Sequence, residues 1–408
     1  MTQVLITGAG AVSCLGVGVE AMWRALCAPP GSRPQHADDP GARMPLPLIY
    51  LAPGPEAASG SVPVPDPVPV SETGSASAEP GPGGRSSWLA LVAAREAVAD
   101  AGLGSDQCVR SAVVIGTGGG NADLWERPLD PARSYAPAFT VASEVGAALG
   151  ASGTATSVSN ACAAGGFALG MAADMIRCGE ADVVVAGGAE AYSRVALGCF
   201  NRMGAVDPQA CRPFHRDRSG AVFGEGAAVL VLESAEHARA RGRVRHYATL
   251  AGSGWSCDAH HLTAPDPDGA QIRRAMTDAL AAAGVPPESV GCVVPHGTGT
   301  RLNDVVESEA LAAVFDGRPQ PPLYSLKALI GHTAGAAGAL SALAAALILD
   351  RRTVPPNASL GAEQDPQCPV SLPQGSPAAL TGRHVMVNSF AFGGNNVSLV
   401  LAAAGGTA

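Results

Sequence analysis

The sequence contains a cysteine in a setting that favours nucleophilic chemistry. The motif SNACAAGG (residues 159–166) centres on Cys162 and leads into a run whose apolar residues recur at helical spacing. A cysteine at a helix start meets free backbone N–H groups and the positive end of the helix dipole, which favour the thiolate. The small neighbouring residues would let an extended chain approach the sulfur closely. The motif predicts a nucleophile, against the alternative of a buried structural cysteine at a tight turn.

Two histidines and a lysine occupy comparable positions in the second half of the chain. In VVPHGTGT (residues 293–300), a buried strand delivers His296 into a glycine-rich turn, a usual place for catalytic groups in α/β proteins. In SLKALIGHTAGAAGAL (residues 325–340), His332 and Lys327, the only lysine of the chain, precede a long apolar helix. A histidine beside a helix N-terminus tends to stay neutral and can still donate a hydrogen bond. Taken singly, these motifs are also compatible with a structural histidine or a helix cap.

A fourth motif, NSFAFGGNN (residues 388–396), is a glycine-rich segment before the last predicted strand. Alone it predicts no more than a turn. Taken together, one activated cysteine, two histidines and a lysine at the edges of core elements form a constellation whose members explain one another.

Composition limits the classes of protein that could carry this constellation. The 408 residues are 47% hydrophobic and carry a formal charge of −9, which is typical of a globular enzyme and argues against a nucleic-acid-binding protein. No two of the ten cysteines form a CxxC pair, so neither a zinc site nor a disulfide framework is expected. The start of the chain lacks a basic region before its apolar stretch, and no apolar run reaches the ~18–20 residues of a membrane span. These features predict a cytoplasmic protein.

The elements that must position these residues alternate between strands and helices, which predicts an α/β protein with buried sheets. Helices are predicted at residues 87–101, 167–176, 268–284 and 333–349, and strands at 3–6, 111–115, 181–186, 227–232, 292–295 and 396–401. The strand GAAVLVLE near residue 230 parallels NNVSLVLA near the end. We therefore expect two similar halves, residues 1–240 and 241–408. A Pro-rich insertion at about residues 29–84 reads as loop with a short strand at 46–51.

The motifs together resemble the β-ketoacyl-acyl carrier protein synthases of the thiolase-like superfamily, and most closely the ketosynthases of dissociated (type II) polyketide or polyene pathways. The resemblance covers nearly the whole chain and includes LITGAGAVSCLG, LALVAAREAVADAGL and RPFHRDRSGAVFGEGAA besides the four motifs above. It implies a layered α-β-α-β-α fold and a decarboxylative Claisen condensation with malonyl on an acyl carrier protein. The alternative within the family is a fatty-acid-type elongating enzyme.

The resemblance also implies roles for individual residues. Cys162 would take the acyl group from the carrier thioester, and the backbone N–H groups of Cys162 and Phe392 would form the oxyanion hole. Thr298 and Thr300 would hydrogen-bond the 4'-phosphopantetheine arm that carries the substrates. Phe392 would also be the gate between the acyl and malonyl pockets. No metal or redox cofactor is implied.

The remaining roles concern the malonyl group. His296 and His332 would bind its thioester carbonyl and stabilise the enolate that forms on loss of CO2. Lys327 would fix charge and orientation around His332, with Glu307 as its ionic partner.

The sequence departs from the family pattern at several points. Ala391 stands where the elongating bacterial enzymes have glycine, which should stiffen the hinge of the gate. Residues 121–136 are short for the family, and His215 replaces a common aspartate. Because the Pro-rich insertion replaces a region used for carrier docking, we expect docking to rely on a cationic cluster that meets an acidic carrier helix. Its members are Arg202, Arg212, Arg216 and Arg218, for which solvated surface is the alternative.

Three other functions compete with this one. A non-catalytic partner subunit of the chain-length-factor type shares the fold but lacks the nucleophilic cysteine, whereas Cys162 is present; the protein could still pair with such a subunit or form a homodimer. A nicotinamide-dependent oxidoreductase is suggested by GAGAVS, but Ser13 stands at the third glycine of the dinucleotide fingerprint. An acyl hydrolase needs a small residue two positions before its nucleophile, where Asn160 stands.

Overall fold

The computed structural model of the protein describes residues 2–28, 33–54, 83–126, 137–243, 245–359 and 363–405. The helices in these ranges are α1 Val19–Cys27, α2 Arg85–Ala101, α3 Ser105–Val109, α4 Asp123–Glu126, α5 Val141–Leu149, α6 Ala164–Arg177, α7 Arg194–Arg202, α8 Ala235–Ala240, α9 Ala270–Ala283, α10 Arg301–Val314, α11 Lys327–Ile330 and α12 Ala337–Arg351. Short 3-10 turns occur at Ala161–Ala163, Pro287–Ser289 and Ala334–Ala336.

The strands are β1 Val4–Ser13, β2 Gly16–Val17, β3 Gln35–His36, β4 Leu48–Tyr50, β5 Ala112–Gly116, β6 Ala155–Val158, β7 Val183–Glu190, β8 Phe223–Gly224, β9 Gly226–Ser234, β10 Ala248–Cys257, β11 Val290–Val294, β12 Thr353–Val354, β13 Ala378–Ala379, β14 His384–Phe390 and β15 Asn395–Ala403.

The main sheet has the strand order β11-β14-β15-β10-β1-β9-β7-β5-β6, with β2 paired to β1. Its two halves meet where β1 pairs with β10, with Leu5 opposite Thr249 and Ile6 opposite Ala248. Outward from this junction, each half repeats two antiparallel pairings and then a parallel one. Strands β9 and β15 occupy equivalent places, which confirms the correspondence predicted between GAAVLVLE and NNVSLVLA.

Helices cover the sheet in layers. Helices α2 and α5 pack on the outer face of the first half, and α9 packs on the outer face of the second half with α10 beside it. Helices α6 and α12 lie between the two halves and contribute most of their side chains to the largest hydrophobic core. The layered α-β-α-β-α architecture of two similar halves is therefore confirmed.

Strand β1 is longer than predicted, because its glycines are used for packing rather than for a turn. A Cβ on Gly8 would lie 2.2 Å from the carbonyl oxygen of Ala97, and one on Gly10 would lie 2.0 Å from that of Ala93. Both oxygens belong to α2, so glycine lets this helix lie directly on the strand. GAGAVS is thus part of a strand and not a phosphate-binding turn, which removes the observation that suggested an oxidoreductase.

The described part of the Pro-rich insertion is built into the protein. Strand β4 confirms the short strand predicted at residues 46–51 and pairs in parallel with β8. Strand β8 in turn forms a parallel bridge from Phe223 to His332. The insertion therefore supports one of the two predicted catalytic histidines. Residues 29–32 and 55–82 of the insertion lie outside the described residues, as do residues 127–136 of the segment that is short for the family.

One helical stretch of the described chain, residues 334–351, is long and apolar enough to cross a membrane by length and composition, so the expectation that no run reaches that length was wrong. In the structure 83% of it is buried, as in the core helix of a globular protein.

Candidate active site

The predicted nucleophile lies at the start of a central helix. Cys162 is in the 3-10 turn Ala161–Ala163, which runs directly into α6. Ala161 has a φ of 47°, in the left-handed region that residues with a side chain rarely adopt. Backbone strain of this kind is concentrated at functional sites, where the surrounding structure must maintain it.

Glycines after Cys162 and at the start of α12 allow close packing at this end of the central helices. A Cβ on Gly166 would lie 2.7 Å from the Val397 side chain, and one on Gly338 would lie 2.5 Å from the backbone nitrogen of Gly166. Gly166 therefore lets α6 pack against β15, and Gly338 lets α12 pack closely against α6. This contact brings together the N-terminal ends of the two helices, and with them Cys162 and His332.

Burial, rather than the helix start, dominates the protonation of the thiol. It raises the pKa of Cys162 to about 11, although the positive charge of Lys327 lowers that pKa and the Glu190 carboxylate raises it further. The expectation that the helix start yields a thiolate is therefore not met in the free protein. The backbone N–H of Phe392 donates toward the sulfur, which places it where the oxyanion-hole prediction requires.

The pKa of Cys162 sets the expected pH dependence of its alkylation. Because only the thiolate reacts, the rate of its modification by iodoacetamide should rise about tenfold per pH unit from pH 7 to pH 10. Replacing Lys327 with glutamine removes the charge that lowers the thiol pKa, so this variant should react more slowly than wild type at every pH in that range. Peptide mass spectrometry after timed quenching measures the modification of each cysteine separately.

The exposed Cys178 provides an internal control. It lies at the other end of α6, about 24 Å away at 1.5 Å per helical residue, so Lys327→Gln should not change its rate. A rate for Cys162 that is already constant between pH 6 and pH 8 would contradict the buried-thiol assignment and restore the thiolate expectation.

His296 lies in a turn whose backbone is held by two carboxylates of α10. Glu307 accepts the N–H groups of His296 and Gly297, both at 2.7 Å. Asp304, one helical turn earlier, accepts those of Thr298 at 3.0 Å and Gly299 at 3.1 Å. Burial raises the pKa of Glu307 to about 7. The HGTGT turn is thus shaped by buried acceptors and not by its own glycines alone.

In the described part of the chain, Lys327 and Glu307 do not form the predicted ion pair. The Nζ atom of Lys327 donates instead to the carbonyl oxygen of His296 at 2.5 Å, and the Glu307 carboxylate acts on the lysine through its charge. Both groups are buried, and the carboxylate is already occupied by backbone N–H groups. Lys327 therefore bridges the two histidine motifs by holding the backbone of the first.

His332 is positioned by its backbone and stays neutral. Its N–H donates to Val222 at 2.7 Å and its carbonyl oxygen accepts from Gly224 at 3.1 Å. The imidazoles of His296 and His332 lie edge to face with ring centroids 5.5 Å apart. Burial and the charge of Lys327 hold the pKa of both histidines well below the usual value. The predicted neutral state of His332 is met, with burial as the leading cause.

Two cavities meet at the sulfur of Cys162. The larger, of about 420 Å³, is lined by His296, His332, Thr298 and Thr300, among others. The smaller, of about 240 Å³, is mostly apolar. Its walls include Ile49, Glu190, Tyr192, Leu197 and Phe223.

Two aromatic rings separate the cavities. Phe392 and Phe200 line both and are stacked, with centroids 5.2 Å apart and planes 4° from parallel. This is the position that a gate between acyl and malonyl pockets requires. The preceding Ala391 has a negative φ, so its methyl group causes no backbone strain in this conformation. The methyl group does restrict the loop to this region of backbone conformation.

The two threonines of HGTGT face the larger cavity. Their hydroxyl oxygens lie 2.9 Å apart and share a hydrogen bond. A hydroxyl has both donor and acceptor capacity, so the pair can also bind an amide of a bound chain.

The four arginines predicted to dock a carrier fall into two groups. Arg202 and Arg216 are exposed, whereas the side chain of Arg212 is 12% exposed and forms an ion pair with the buried Asp207 at 2.7 Å. Arg218 is 4% exposed and pairs with Asp304 and Asp365. Arg218 is therefore a structural cation behind the HGTGT turn, and its assignment to a docking surface is wrong.

Sequence reasoning missed two buried carboxylates. Asp304 stands at helical spacing before Glu307, and this acidic pair directly after HGTGT was an available signal. Glu190 accepts the N–H groups of Gly118 at 2.6 Å, Gly119 at 2.9 Å and Gly335 at 2.8 Å, tying together loops from both halves. The sequence carried no sign of this role, because the three donors lie far from Glu190 along the chain.

His215, which stands where the family commonly has aspartate, is a buried side chain, and its backbone carbonyl oxygen accepts from Arg218 at 2.8 Å. Its Nδ1 accepts the N–H of Asp217 at 2.9 Å, and burial lowers its pKa.

The chain matches two family descriptions: "Beta-ketoacyl synthase, N-terminal domain" over residues 1–238 and "Beta-ketoacyl synthase, C-terminal domain" over residues 247–361. It is 38% identical over 330 residues to nodulation protein E of Rhizobium meliloti, covering 77% of this chain and 81% of that protein.

Two solved structures share the fold over almost the whole chain. The ishigamide ketosynthase/chain length factor aligns with a TM-score of 0.85 and 36% identity, covering 99% of this chain and 100% of that chain. The type II polyketide ketosynthase AntDE, solved with its acyl carrier protein AntF and bound to the hexaketide, aligns with a TM-score of 0.83 and 26% identity, covering 98% and 99%.

Proposed function

Because the chain belongs to the β-ketoacyl synthase family, we propose that it extends acyl chains on a discrete acyl carrier protein in a type II polyketide or polyene pathway. It is a carbon–carbon bond-forming acyltransferase that uses malonyl on the carrier as the extender. The observation that carries the proposal is the junction of two cavities at the sulfur of Cys162, with two neutral histidines on one side and an apolar pocket on the other.

In the first half-reaction, the sulfur of Cys162 attacks the carbonyl carbon of the acyl thioester. The new carbon–sulfur bond replaces the bond to the carrier thiol, which leaves with the proton. The negative oxygen of the intermediate is stabilised by the N–H groups of Cys162 and Phe392. The acyl chain then occupies the smaller, apolar cavity. Since the free thiol has a high pKa, deprotonation accompanies the attack and does not precede it.

In the second half-reaction, His296 and His332 donate hydrogen bonds to the thioester oxygen of malonyl. Neutral imidazoles suit this task, because they stabilise the enolate that forms on loss of CO2 without protonating its carbon. The enolate carbon attacks the acyl carbon, the bond to Cys162 breaks, and the thiolate takes up a proton. Lys327 is the positioning residue here, through its bond to the carbonyl oxygen of His296.

The larger cavity accommodates the pantetheine arm. Thr298 and Thr300 line it. Asp304 of α10 accepts the N–H of Thr298, and the hydroxyl of Thr298 holds Thr300. We therefore assign the two hydroxyls to the amides of the arm. Phe392, between the cavities, must move for the malonyl carbon to reach the acylated sulfur.

The carrier docks at the mouth of the larger cavity in this proposal. The exposed Met203 and Leu302 line this cavity, and the exposed Arg202 and Leu262 are the chain neighbours of its lining residues Met203 and Thr263. Arg216 is also exposed and pairs with Glu363. These side chains combine positive charge for an acidic carrier helix with an apolar contact surface. The apolar side chains are Met203, Leu262 and Leu302, at 46%, 82% and 59% exposure.

A second subunit pairs along strand β6. This strand is the outer edge of the main sheet, and its edge offers unpaired backbone groups. Phe139 and Val195 are exposed at 52% and 65%, and a partner subunit would cover them. The partner is a second copy of this chain or a subunit of the chain-length-factor type, as named for the ishigamide structure.

The boundary between the halves at residues 240 and 241 and a cytoplasmic location belong to the same proposal. Helix α8 ends at Ala240, where the strands of the first half have all been completed. The ten cysteines are free thiols, which suits a reducing compartment.

To test the function, the protein is incubated with one carrier protein that is loaded with an acyl group and a second that is loaded with malonyl. The incubation is done with and without a candidate partner subunit. We expect a β-ketoacyl carrier extended by the unit that malonyl leaves after loss of CO2, detected by mass spectrometry of the carrier. The yield of condensation product is compared between saturated acyl donors and β-ketoacyl or enoyl donors. Preference for plain saturated chains of every length would overturn the pathway assignment, and the absence of any condensation product would overturn the function.

A further inference from the structure

The loop between β7 and α7 forms one wall of the smaller cavity. Glu190, Ala191, Tyr192 and Ser193 all line that cavity, and Leu197 continues the wall on α7. The shape of the cavity therefore depends on where this loop and the start of α7 are held. Side chains from segments far away in sequence hold them.

The Pro-rich insertion supplies the first of these side chains. Asp39 accepts two hydrogen bonds from the guanidinium of Arg194, at 2.7 Å from Nε and 2.8 Å from Nη2. It also accepts the hydroxyl of Tyr192 at 2.9 Å and the N–H of Gly41 at 2.9 Å. Bidentate contacts of this kind fix geometry as well as adding stability. The side chain of Asp39 is 11% exposed and that of Arg194 is 36% exposed, so the carboxylate is shielded while the guanidinium remains partly open to solvent.

The segment that is short for the family supplies the second. Glu126, at the end of α4, accepts the N–H groups of Arg194 at 2.5 Å and Val195 at 3.1 Å. It also accepts the hydroxyl of Ser193 at 2.6 Å. Ser193 caps α7 by accepting the N–H of Ala196 at 3.1 Å. Glu126 therefore fixes the exact turn at which α7 begins.

Both of these segments depart from the family pattern in the sequence. In the structure, a carboxylate from each segment hydrogen-bonds to the same short stretch, residues 192–195, at the cavity wall. Strand β4 of the insertion also places Ile49 in the wall directly. The described parts of the departing segments thus converge on the pocket that would hold the acyl chain.

We propose that Asp39 and Glu126 are positioning residues that set the wall of the smaller cavity and so select the acyl chain that Cys162 accepts. This inference rests on the proposed function, in which that cavity is the acyl pocket. Neither carboxylate lines the cavity; each acts through Tyr192, Ser193 or Arg194. Loss of either contact lets the wall move and changes which chain length fits.

The test measures selectivity rather than activity. Wild type, Asp39→Asn and Arg194→Lys are each incubated with butyryl and decanoyl carrier protein, and the rate of acylation of Cys162 is followed by intact-protein mass spectrometry. Because one methylene in an apolar pocket changes discrimination by about tenfold or more, the ratio of the two rates should change by at least about tenfold in both variants. A purely structural role would lower the two rates together and leave their ratio unchanged.

Asp38→Asn is the matched control. Asp38 is exposed and adjacent to Asp39, so the control makes the same change in charge and should leave the ratio at its wild-type value. Should Asp39→Asn fail to fold, Tyr192→Phe removes one hydrogen bond to the same carboxylate and Glu126→Gln weakens the second anchor; each should shift the ratio in a folded protein.

The outcomes separate the inference from the function on which it rests. Ratios that stay at the wild-type value in folded, acylated variants overturn the inference alone. Wild-type protein that accepts no acyl group from any carrier overturns the proposed function and the inference with it. A shifted ratio in the anchor variants, with the control unchanged, supports both.

Discussion

Cys162→Ala is expected to abolish covalent acylation and to lower condensation by about 10⁴-fold or more, since the covalent route then has no acceptor. Cys162 is the one described cysteine at which both cavities meet, and its sulfur already faces the N–H of Phe392. Incubation with a panel of acyl carriers followed by intact-protein mass spectrometry should show one added acyl group in wild type and none in the variant. The same panel identifies the preferred chain.

Cys211→Ala is the matched control for this loss. Cys211 is also fully buried and also within the field of Lys327, with a pKa raised by burial to about 12, but it lines neither cavity. Its replacement should leave acylation intact. Acylation of the Cys162→Ala variant at another residue would move the nucleophile elsewhere. Wild type that takes no acyl group, even with a candidate partner subunit, would favour the partner-subunit role over the enzyme.

His332→Ala is expected to separate the two half-reactions. Acylation of Cys162 should persist, because the oxyanion hole for that step is formed by backbone N–H groups. Condensation should fall by about 10²–10⁴-fold, the usual range for loss of a positioned acid–base group or hydrogen-bond donor. The loss of CO2 from malonyl carrier and the acylation of the protein are measured separately on the same samples.

His384→Gln controls for the loss of a half-buried imidazole. His384 stands at the start of β14 and its pKa is also lowered by burial, but it lines neither cavity. This variant should retain both half-reactions. Equal loss of acylation and condensation in His332→Ala would contradict the assignment of His332 to the malonyl step. It would indicate instead that His332 maintains the conformation of its own loop, which includes Gly335.

Much of the fold followed from local patterns. The helix that ends at Gly102 was predicted to within two residues, because its small apolar residues recur at helical spacing and the glycine adopts the left-handed conformation of a helix end. Strand β1 was predicted too short, because Gly8 and Gly10 resemble breakers in the sequence. Their actual function, close contact with α2, depends on a helix about 90 residues away.

The amino-acid sequence by itself determined the chemistry: a cysteine, two histidines and a lysine, in a family order that assigns each a step. The tertiary structure decided their states and partners. Burial holds the thiol of Cys162 protonated and both histidines neutral, directs Lys327 to a backbone oxygen rather than to Glu307, and removes Arg218 from the surface. The tertiary structure also places Asp39 and Glu126 where they hold one wall of a cavity from behind. These properties arise from dielectric environment and contacts between distant segments, which no local pattern of residues encodes.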